Sequence, residues 1–226
     1  AAQRSADLTH QLLAFARKQA IAPRVLDLNE TVASMLKMLQ RLIRENILLV
    51  WRPASELWPI KMDYTQVHQM LANLMVNARD AIDDSGQITI ETGNLTLSHD
   101  KGSGPDDTPP GDYVTLTVRD DGCGIAPEAL CHLFEPFFTT KMPGKGTGLG
   151  LATVYGVVKQ NGGYITVSSA PGRGSTFTVG LPRCTLPLDV GTAPEAHQPQ
   201  RSTETILLVE DEEQILHLGR QILEKA

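Results

Sequence analysis

Two glycine clusters restrict this chain more than anything else in it: Asp120-Asp-Gly-Cys-Gly-Ile125 and Lys145-Gly-Thr-Gly-Leu-Gly-Leu151. Ahead of the first, the run Tyr113 to Val118 alternates Val114, Leu116 and Val118 with two threonines, the period of a strand. Asp120 therefore follows a strand, and Gly122 and Gly124 let the backbone turn tightly beside its carboxylate. The second cluster, Gly146, Gly148 and Gly150, leads into Leu149, Leu151, Val154, Val157 and Val158 at helical spacing. Glycines that open a helix leave N–H groups converging on one point, where the helix dipole favours an anion. Lys141 and Lys145 add positive charge there, and Leu133 to Gly144, with Pro136, Pro143, Gly144 and three phenylalanines, lies between the clusters. Either cluster alone also occurs in plain turns and ion-binding loops. Together they frame a buried acceptor and a phosphate cradle on either side of a hinged segment, whose lysines have no acid partner nearby in sequence.

A helix upstream supplies polar groups to match. Asp63 caps it, and Val67, Leu71, Leu74, Ala78 and Ile82 form its apolar face. Asn73, Asn77 and Asp80 project together on another side. Asparagine is a poor helix former, so two in mid-helix point to use, although a solvated polar face gives the same pattern. His68 on this helix reads as structural or exposed. Asn29 is the expected cap of an earlier helix carrying Val32, Leu36, Leu39 and Ile43, and Ile47 to Trp51 reads as a strand closed by Pro53. Gln87 to Leu97 alternates as a further strand, with Gly93 as a candidate bulge, and a Gly/Pro/Asp-rich loop follows from His99 to Gly111. Gly162-Gly163 ends the glycine-cluster helix. Tyr164 to Ser168 and Ser175 to Leu181 form a hairpin across Pro171-Gly-Arg-Gly, with Thr176 expected on the ligand side of the sheet.

At 226 residues there is room for one good-sized domain and appendages. A net charge of −6 with scattered basic residues argues against a nucleic-acid surface. No window reaches the roughly 18 apolar residues of a membrane span. The polar opening Ala-Ala-Gln-Arg-Ser does not read as a secretory leader, and the missing initiator Met suggests a piece of a longer protein. Three cysteines without CxxC spacing fit a reduced, cytoplasmic setting. Ser5 to Gln19 has an amphipathic stripe, Leu8, Leu12 and Phe15, that suits either an ordinary packing helix or the end of an oligomerisation helix. Pro182 to Ser202 reads as a linker. Beyond it, Thr205 to Val209 reads as a buried strand ending in Glu210-Asp211-Glu212-Glu213, an acidic cluster suited to magnesium in an α/β unit too short here to bury a core.

In this order the residues resemble a hybrid-type sensor histidine kinase, within the superfamily shared with gyrase, the Hsp90 chaperone and the MutL mismatch-repair ATPases (GHKL). Asn73-Leu-Met-Val-Asn77-Ala-Arg-Asp-Ala looks like its asparagine box, Asp120 to Gly124 its first glycine box, Phe134 to Lys141 its phenylalanine box and Lys145 to Leu151 its second glycine box. Pro171 to Phe177 resembles its last turn. The resemblance implies an α+β fold, a two-layer α/β sandwich of the Bergerat type, whose mixed, mostly antiparallel sheet carries helices on one face. It implies four parts: the end of a dimerisation and phosphotransfer helix at 1–22, a catalytic ATP-binding domain at 23–183, a linker at 184–203, and the start of a receiver domain at 204–226.

The same resemblance implies roles. Asp120, helped by Thr176, would accept a hydrogen bond from the adenine amino group. Asn77 would hold Mg²⁺ on ATP, with Asn73 supporting it. Lys141, Lys145 and the N–H groups of Gly146, Thr147, Gly148, Leu149 and Gly150 would face the phosphates. Asp80, Gly122, Gly124, Ile125 and Phe134 complete the implied nucleotide site, and Glu210 and Asp211 would belong to an incomplete receiver site for the metal. The family's acceptor histidine stands in a helix this sequence does not carry, and none of its six histidines has the acceptor's context. The isolated chain is therefore expected to lack autophosphorylation. The parent is expected to be a homodimer that uses its own hairpin and receiver, or a response regulator, as partners. Two alternatives stand beside this reading: a gyrase- or chaperone-like ATPase, disfavoured by Asn73 where those enzymes carry a glutamate base, and a non-catalytic nucleotide sensor.

Overall fold

The structure, a computed structural model, describes residues 22–98, 108–141 and 146–186. The expected N-terminal helix, most of the 99–111 loop, Lys145, most of the linker and the acidic Glu210-Asp211 cluster lie outside the described residues. All described residues fall in the first of two units, Ala1–Asp189 and Val190–Ala226.

In chain order the elements are β1 (Arg24–Leu26), α1 (Leu28–Leu42), β2 (Ile47–Arg52), β3 (Ile60–Met62), α2 (Tyr64–Ala81), β4 (Gly86–Leu97), β5 (Gly111–Asp120), α3 (Pro127–Leu130), α4 (Gly150–Gln160), β6 (Tyr164–Ser169) and β7 (Ser175–Pro182). Five strands form the main sheet in the order β2-β4-β5-β7-β6, and β1 and β3 form a small antiparallel pair. Every neighbour in the main sheet is antiparallel except β2 and β4, which run parallel. The architecture is thus α+β with a mixed, mostly antiparallel sheet.

Strand alternation decides which face is covered. Ile88 and Ile90 of β4, Val114, Leu116 and Val118 of β5, and Phe177, Val179 and Leu181 of β7 are buried against the helices. Leu28, Val32, Met35 and Leu39 of α1, Val67, Leu71 and Leu74 of α2, and Val154 and Val158 of α4 meet them. Burying each such side chain contributes about 1.5–3 kcal/mol, so this layer holds the domain together. The other face carries threonines, and the Thr117 and Thr178 hydroxyls lie 3.3 Å apart on it.

Two local expectations are corrected. Asp27, and not Asn29, caps α1: its Oδ1 accepts the N–H groups of Asn29 at 2.7 Å and Glu30 at 3.3 Å. Asn29 is already helical and instead ties α1 to the sheet, donating to Ala54 O and accepting from the Thr92 hydroxyl. Gly93 makes no bulge, because β4 and β5 keep one register from Ile88↔Asp120 to Leu97↔Gly111. Its missing side chain matches a close approach of the Thr115 hydroxyl, 3.1 Å from where a Cβ would sit.

Asp63 does cap α2. It accepts the N–H and hydroxyl of Thr65, both at 2.7 Å, and the N–H of Ala22 at 2.8 Å. The Thr65 hydroxyl bond, against the opposing effect of burial and with the two N–H groups, holds this carboxyl below its ordinary range. At the other side of the core, Gln66 of α2 binds Gln160 and Asn161 at the end of α4, each at 3.1 Å. Among the described residues no helix is long and apolar enough to cross a membrane.

Candidate functional site

A cavity of about 550 Å³ opens between α2, α4, the end of β5 and the described parts of the segment 133–148. Asp120 lies at one end of it, 3% exposed, because it is the last inward-facing residue of β5. Its Oδ1 accepts the N–H of Gly122 at 3.0 Å and of Ser175 at 3.2 Å. Burial, the largest influence, holds the carboxyl above its ordinary range; the two N–H groups pull it back and Asp121 pushes it further up. The turn after Asp120 is stitched down by Cys123 N–H to Ala81 O, Gly172 N–H to Cys123 O, and Ile125 N–H to the Ser169 hydroxyl. Gly124 takes φ +71°, and a Cβ there would run into the Ala170 carbonyl, so the turn requires glycine.

The other end is built by α2 and the second glycine cluster. Asn73, Asn77, Asp80, Gly146, Thr147, Gly148 and Gly150 all line the cavity there. A Cβ at Gly150 would lie 3.7 Å from Asn73 Oδ1 and 3.8 Å from Asn77 Nδ2, so both amides face the start of α4. Asn77 Nδ2 is buried without a hydrogen-bond partner. Such a group costs about 1–3 kcal/mol, which a stable fold tolerates where something else is to be bound.

Lys141 has an acid partner after all, though a distant one. Its Nζ donates to Asp80 Oδ2 at 2.7 Å, across 61 residues of sequence. Asp80 Oδ1 accepts from Arg79 Nε at 2.8 Å and Nη2 at 2.6 Å, and Arg79 Nη1 donates to Leu42 O at the end of α1. Burial would raise the Asp80 carboxyl, but Lys141 and Arg79 together hold it below its ordinary range. Nearby, Phe137 N–H donates to Gly148 O at 2.9 Å, with both residues at φ +68°. Phe137 is the one non-glycine residue with positive φ among the described residues. The two segments cross so closely that a Cβ at Gly148 would strike the Phe137 backbone.

Of the residues singled out from sequence, Asn73, Asn77, Asp80, Asp120, Gly124, Ile125, Lys141, Gly146, Thr147, Gly148 and Gly150 line this one cavity. Gly122, Phe134 and Leu149 serve it indirectly. Gly122 donates to Asp120, Phe134 stacks on Tyr155 of α4 with ring centroids 5.4 Å apart, and Leu149 O starts α4 by accepting from Thr153 N–H and Oγ1. Thr176 is a correction. It pairs with Arg119 and alternates to the threonine face, while its neighbour Ser175 pairs with Asp120 and lines the cavity. Counting inward from the buried Phe177 in steps of two finds Ser175 from sequence. Arg79, which also lines the cavity, carries no comparable signal. Among the described residues no group of three or more His, Cys, Asp or Glu side chains could hold a metal by themselves.

Residues 62–185 match the family described as histidine kinase-, DNA gyrase B-, and HSP90-like ATPase. The chain is 42% identical over 231 residues to the sensor kinase CckA of Brucella abortus (strain 2308), an alignment covering 99% of this chain and 24% of that protein. It is 36% identical over 173 residues to the sensor histidine kinase ZraS of Salmonella typhi, covering 76% of this chain and 34% of ZraS. This chain thus spans a quarter to a third of the length of these curated relatives. Among solved structures, full-length ShkA in complex with AMPPNP superposes with a TM-score of 0.61 at 26% identity, over 80% of this chain and 36% of that one. The catalytic domain of the histidine kinase ThkA gives 0.58 at 27% identity, over 72% of this chain and 96% of that one.

Proposed function

The chain belongs to the histidine kinase-, DNA gyrase B- and HSP90-like ATPase family, and from that premise we propose that residues 23–183 are the ATP-binding catalytic domain of a hybrid-type sensor histidine kinase. The observation that carries the reading is one cavity with two chemically different ends: a buried carboxylate, and a glycine-rich helix start facing two asparagines and a lysine.

Asp120 accepts the adenine amino group, and its fixed Oδ1 bonds to Gly122 and Ser175 hold it in place for that task. Ser175 stands where the assisting hydroxyl is needed. The N–H groups from Gly146 to Gly150 and the ammonium of Lys141 meet the phosphates. For Mg²⁺ the fit rests on Asn77. Its Nδ2 is buried without a partner, and its amide oxygen, a hard-cation ligand, would hold the metal, with Asn73 beside it. When bound, the metal supplies charge neutralisation on the phosphates. The rest of the task is positioning, because phosphoryl transfer needs alignment and electrostatics more than covalent help from this domain. Asn73 offers no base for water, which supports transfer over hydrolysis. The acceptor is a histidine on the upstream helix of the dimerisation and phosphotransfer hairpin, whose second helix ends in residues 1–22, and the phosphoryl group passes on to a receiver aspartate or a response regulator, within a homodimer.

Calorimetry with Mg-ATP and Mg-GTP tests the adenine end. Guanine presents a carbonyl where adenine presents an amino group, so Asp120 would face a second acceptor and GTP should bind at least about a hundredfold more weakly. Equal affinity for the two nucleotides would overturn the assignment.

A further inference from the structure

The geometry points to a role for Asp80 that differs from direct nucleotide contact: it is a positioning residue that holds the Lys141 ammonium at the asparagine-and-glycine end of the cavity, so that the outer phosphates meet a cation already in place. This rests on the nucleotide reading of the cavity given above.

An acidic side chain at a phosphate site needs a reason, because a lone carboxylate would repel the ligand. Here the carboxylate is not alone. Arg79 occupies Oδ1 with two N–H groups, at 2.8 and 2.6 Å, and Lys141 occupies Oδ2 at 2.7 Å. The three side chains together carry one net positive charge. Arg79 cancels Asp80, which leaves the charge of Lys141 available, and lysine has two further N–H donors after the one spent on Oδ2. Arg79 is itself fixed to Leu42 O at 3.0 Å, so the carboxylate is anchored to α1 as well as α2. The Lys141 stem is fixed from the other side: a Cβ at Gly146 would come 3.2 Å from Lys141 Cδ. The pair is also sheltered, with side chains 32% and 22% exposed for Lys141 and Asp80. A lysine otherwise loses much rotamer freedom on meeting a phosphate, and here that loss is already incurred in folding.

Three arrangements predict different signs. If Asp80 positions Lys141, Asp80→Asn weakens ATP binding. If Asp80 instead competes with phosphate for the lysine, Asp80→Asn strengthens it, and only while Lys141 is present. If Asp80 simply repels phosphate, the variant strengthens binding with or without Lys141. Calorimetry of the 226-residue chain with ATP, ADP and AMP, on wild type, Asp80→Asn, Asp80→Glu, Lys141→Met and the Asp80→Asn/Lys141→Met double variant, separates them. The expected result is a loss of about tenfold for ATP in Asp80→Asn, little change for AMP, partial recovery in Asp80→Glu, and no further loss when Asp80→Asn is added to Lys141→Met. Tighter ATP binding in Asp80→Asn, in either lysine background, overturns the proposal, as does an equal loss for AMP, which would mark a general structural defect. Asp120→Asn, run alongside, keeps the two readings apart. If it leaves ATP binding intact, the nucleotide site itself is misplaced; if it abolishes binding while Asp80→Asn tightens it, the site stands and only the positioning role falls.

Discussion

Replacing Asp120 by asparagine should move nucleotide affinity and fold stability in opposite directions. The carboxylate is 3% exposed and accepts both of its N–H partners on Oδ1. An amide placed with its oxygen at that position keeps both bonds, so the turn at Gly122 and the start of β7 remain satisfied. What changes is the other corner, where NH₂ replaces an oxygen. A bond from the adenine amino group to a charged acceptor, about 1.5–3 kcal/mol, is lost, and two donors are opposed in a dry site at a further cost of about 1–3 kcal/mol. The sum, about 2.5–6 kcal/mol, corresponds to roughly a hundredfold to ten-thousandfold weaker ATP binding. Stability goes the other way. Burial raises the folded-state carboxyl above its ordinary value, so ionised Asp120 is less welcome in the folded than in the unfolded chain. The wild type loses stability as pH rises from the unfolded value through the folded one, and at neutral pH it carries that full penalty. The substituted amide never ionises, so the Asp120→Asn variant should melt at or above the wild-type temperature at pH 7, and the difference should shrink below the unfolded value. Calorimetric ATP titration and thermal melts at about pH 7 and about pH 3.5 measure both halves. ATP affinity within threefold of wild type, or a variant that melts several degrees lower at pH 7, would refute the argument.

Asp63→Ala should remove the cap of α2 with its three hydrogen bonds and cost about 2 kcal/mol at pH 7. Because the folded carboxyl lies below its ordinary value, the Asp63 contribution is present above the unfolded value and disappears as pH falls through the folded one. Denaturant melts of wild type and variant should therefore converge in strong acid; a constant gap would contradict the carboxylate's part in it. Asn77→Ala should leave stability within about 1 kcal/mol, since it deletes a partnerless buried donor. It should also abolish the strengthening of ATP binding by Mg²⁺, read by titration with and without the metal, and undiminished Mg²⁺ dependence would remove Asn77 from the metal's reach.

The parts of this domain that were legible in sequence are those where one period or one residue type leaves no choice. The 3.6-residue stripe of α2 puts Asn73, Asn77 and Asp80 on one side, and the glycines at 124 and 148 sit at positive φ in close crossings. Less legible were choices between neighbours. Asp27 and Asn29 are both capping types two residues apart, and only the loop geometry selects Asp27. Thr176 and Ser175 are both hydroxyls, and a strand turns over at every step, so an error of one residue moved the side chain to the wrong face. The short β1–β3 pair has three residues per strand, too few for alternation to register. The contact between Asp80 and Lys141 joins an α-helix to a loop 61 residues later, and nothing local in either segment announces it.

The amides joining Gln66 to Gln160 and Asn161 also tie α2 to α4 at a point outside the cavity. α2 and α4 run antiparallel, with this joint at one end and Asn73, Asn77 and Gly150 facing each other at the other. That is the layout of tweezers: the far end of α4 lies about 16 Å from its pivot, given 11 residues in the helix at about 1.5 Å each. A rotation of about 4° then separates the jaws by about 1 Å, enough to break a hydrogen bond to a phosphate while the three amides at the pivot move by a small fraction of that. Any such change of angle would be felt most at the glycine end and least at these three amides, none of which lines the cavity.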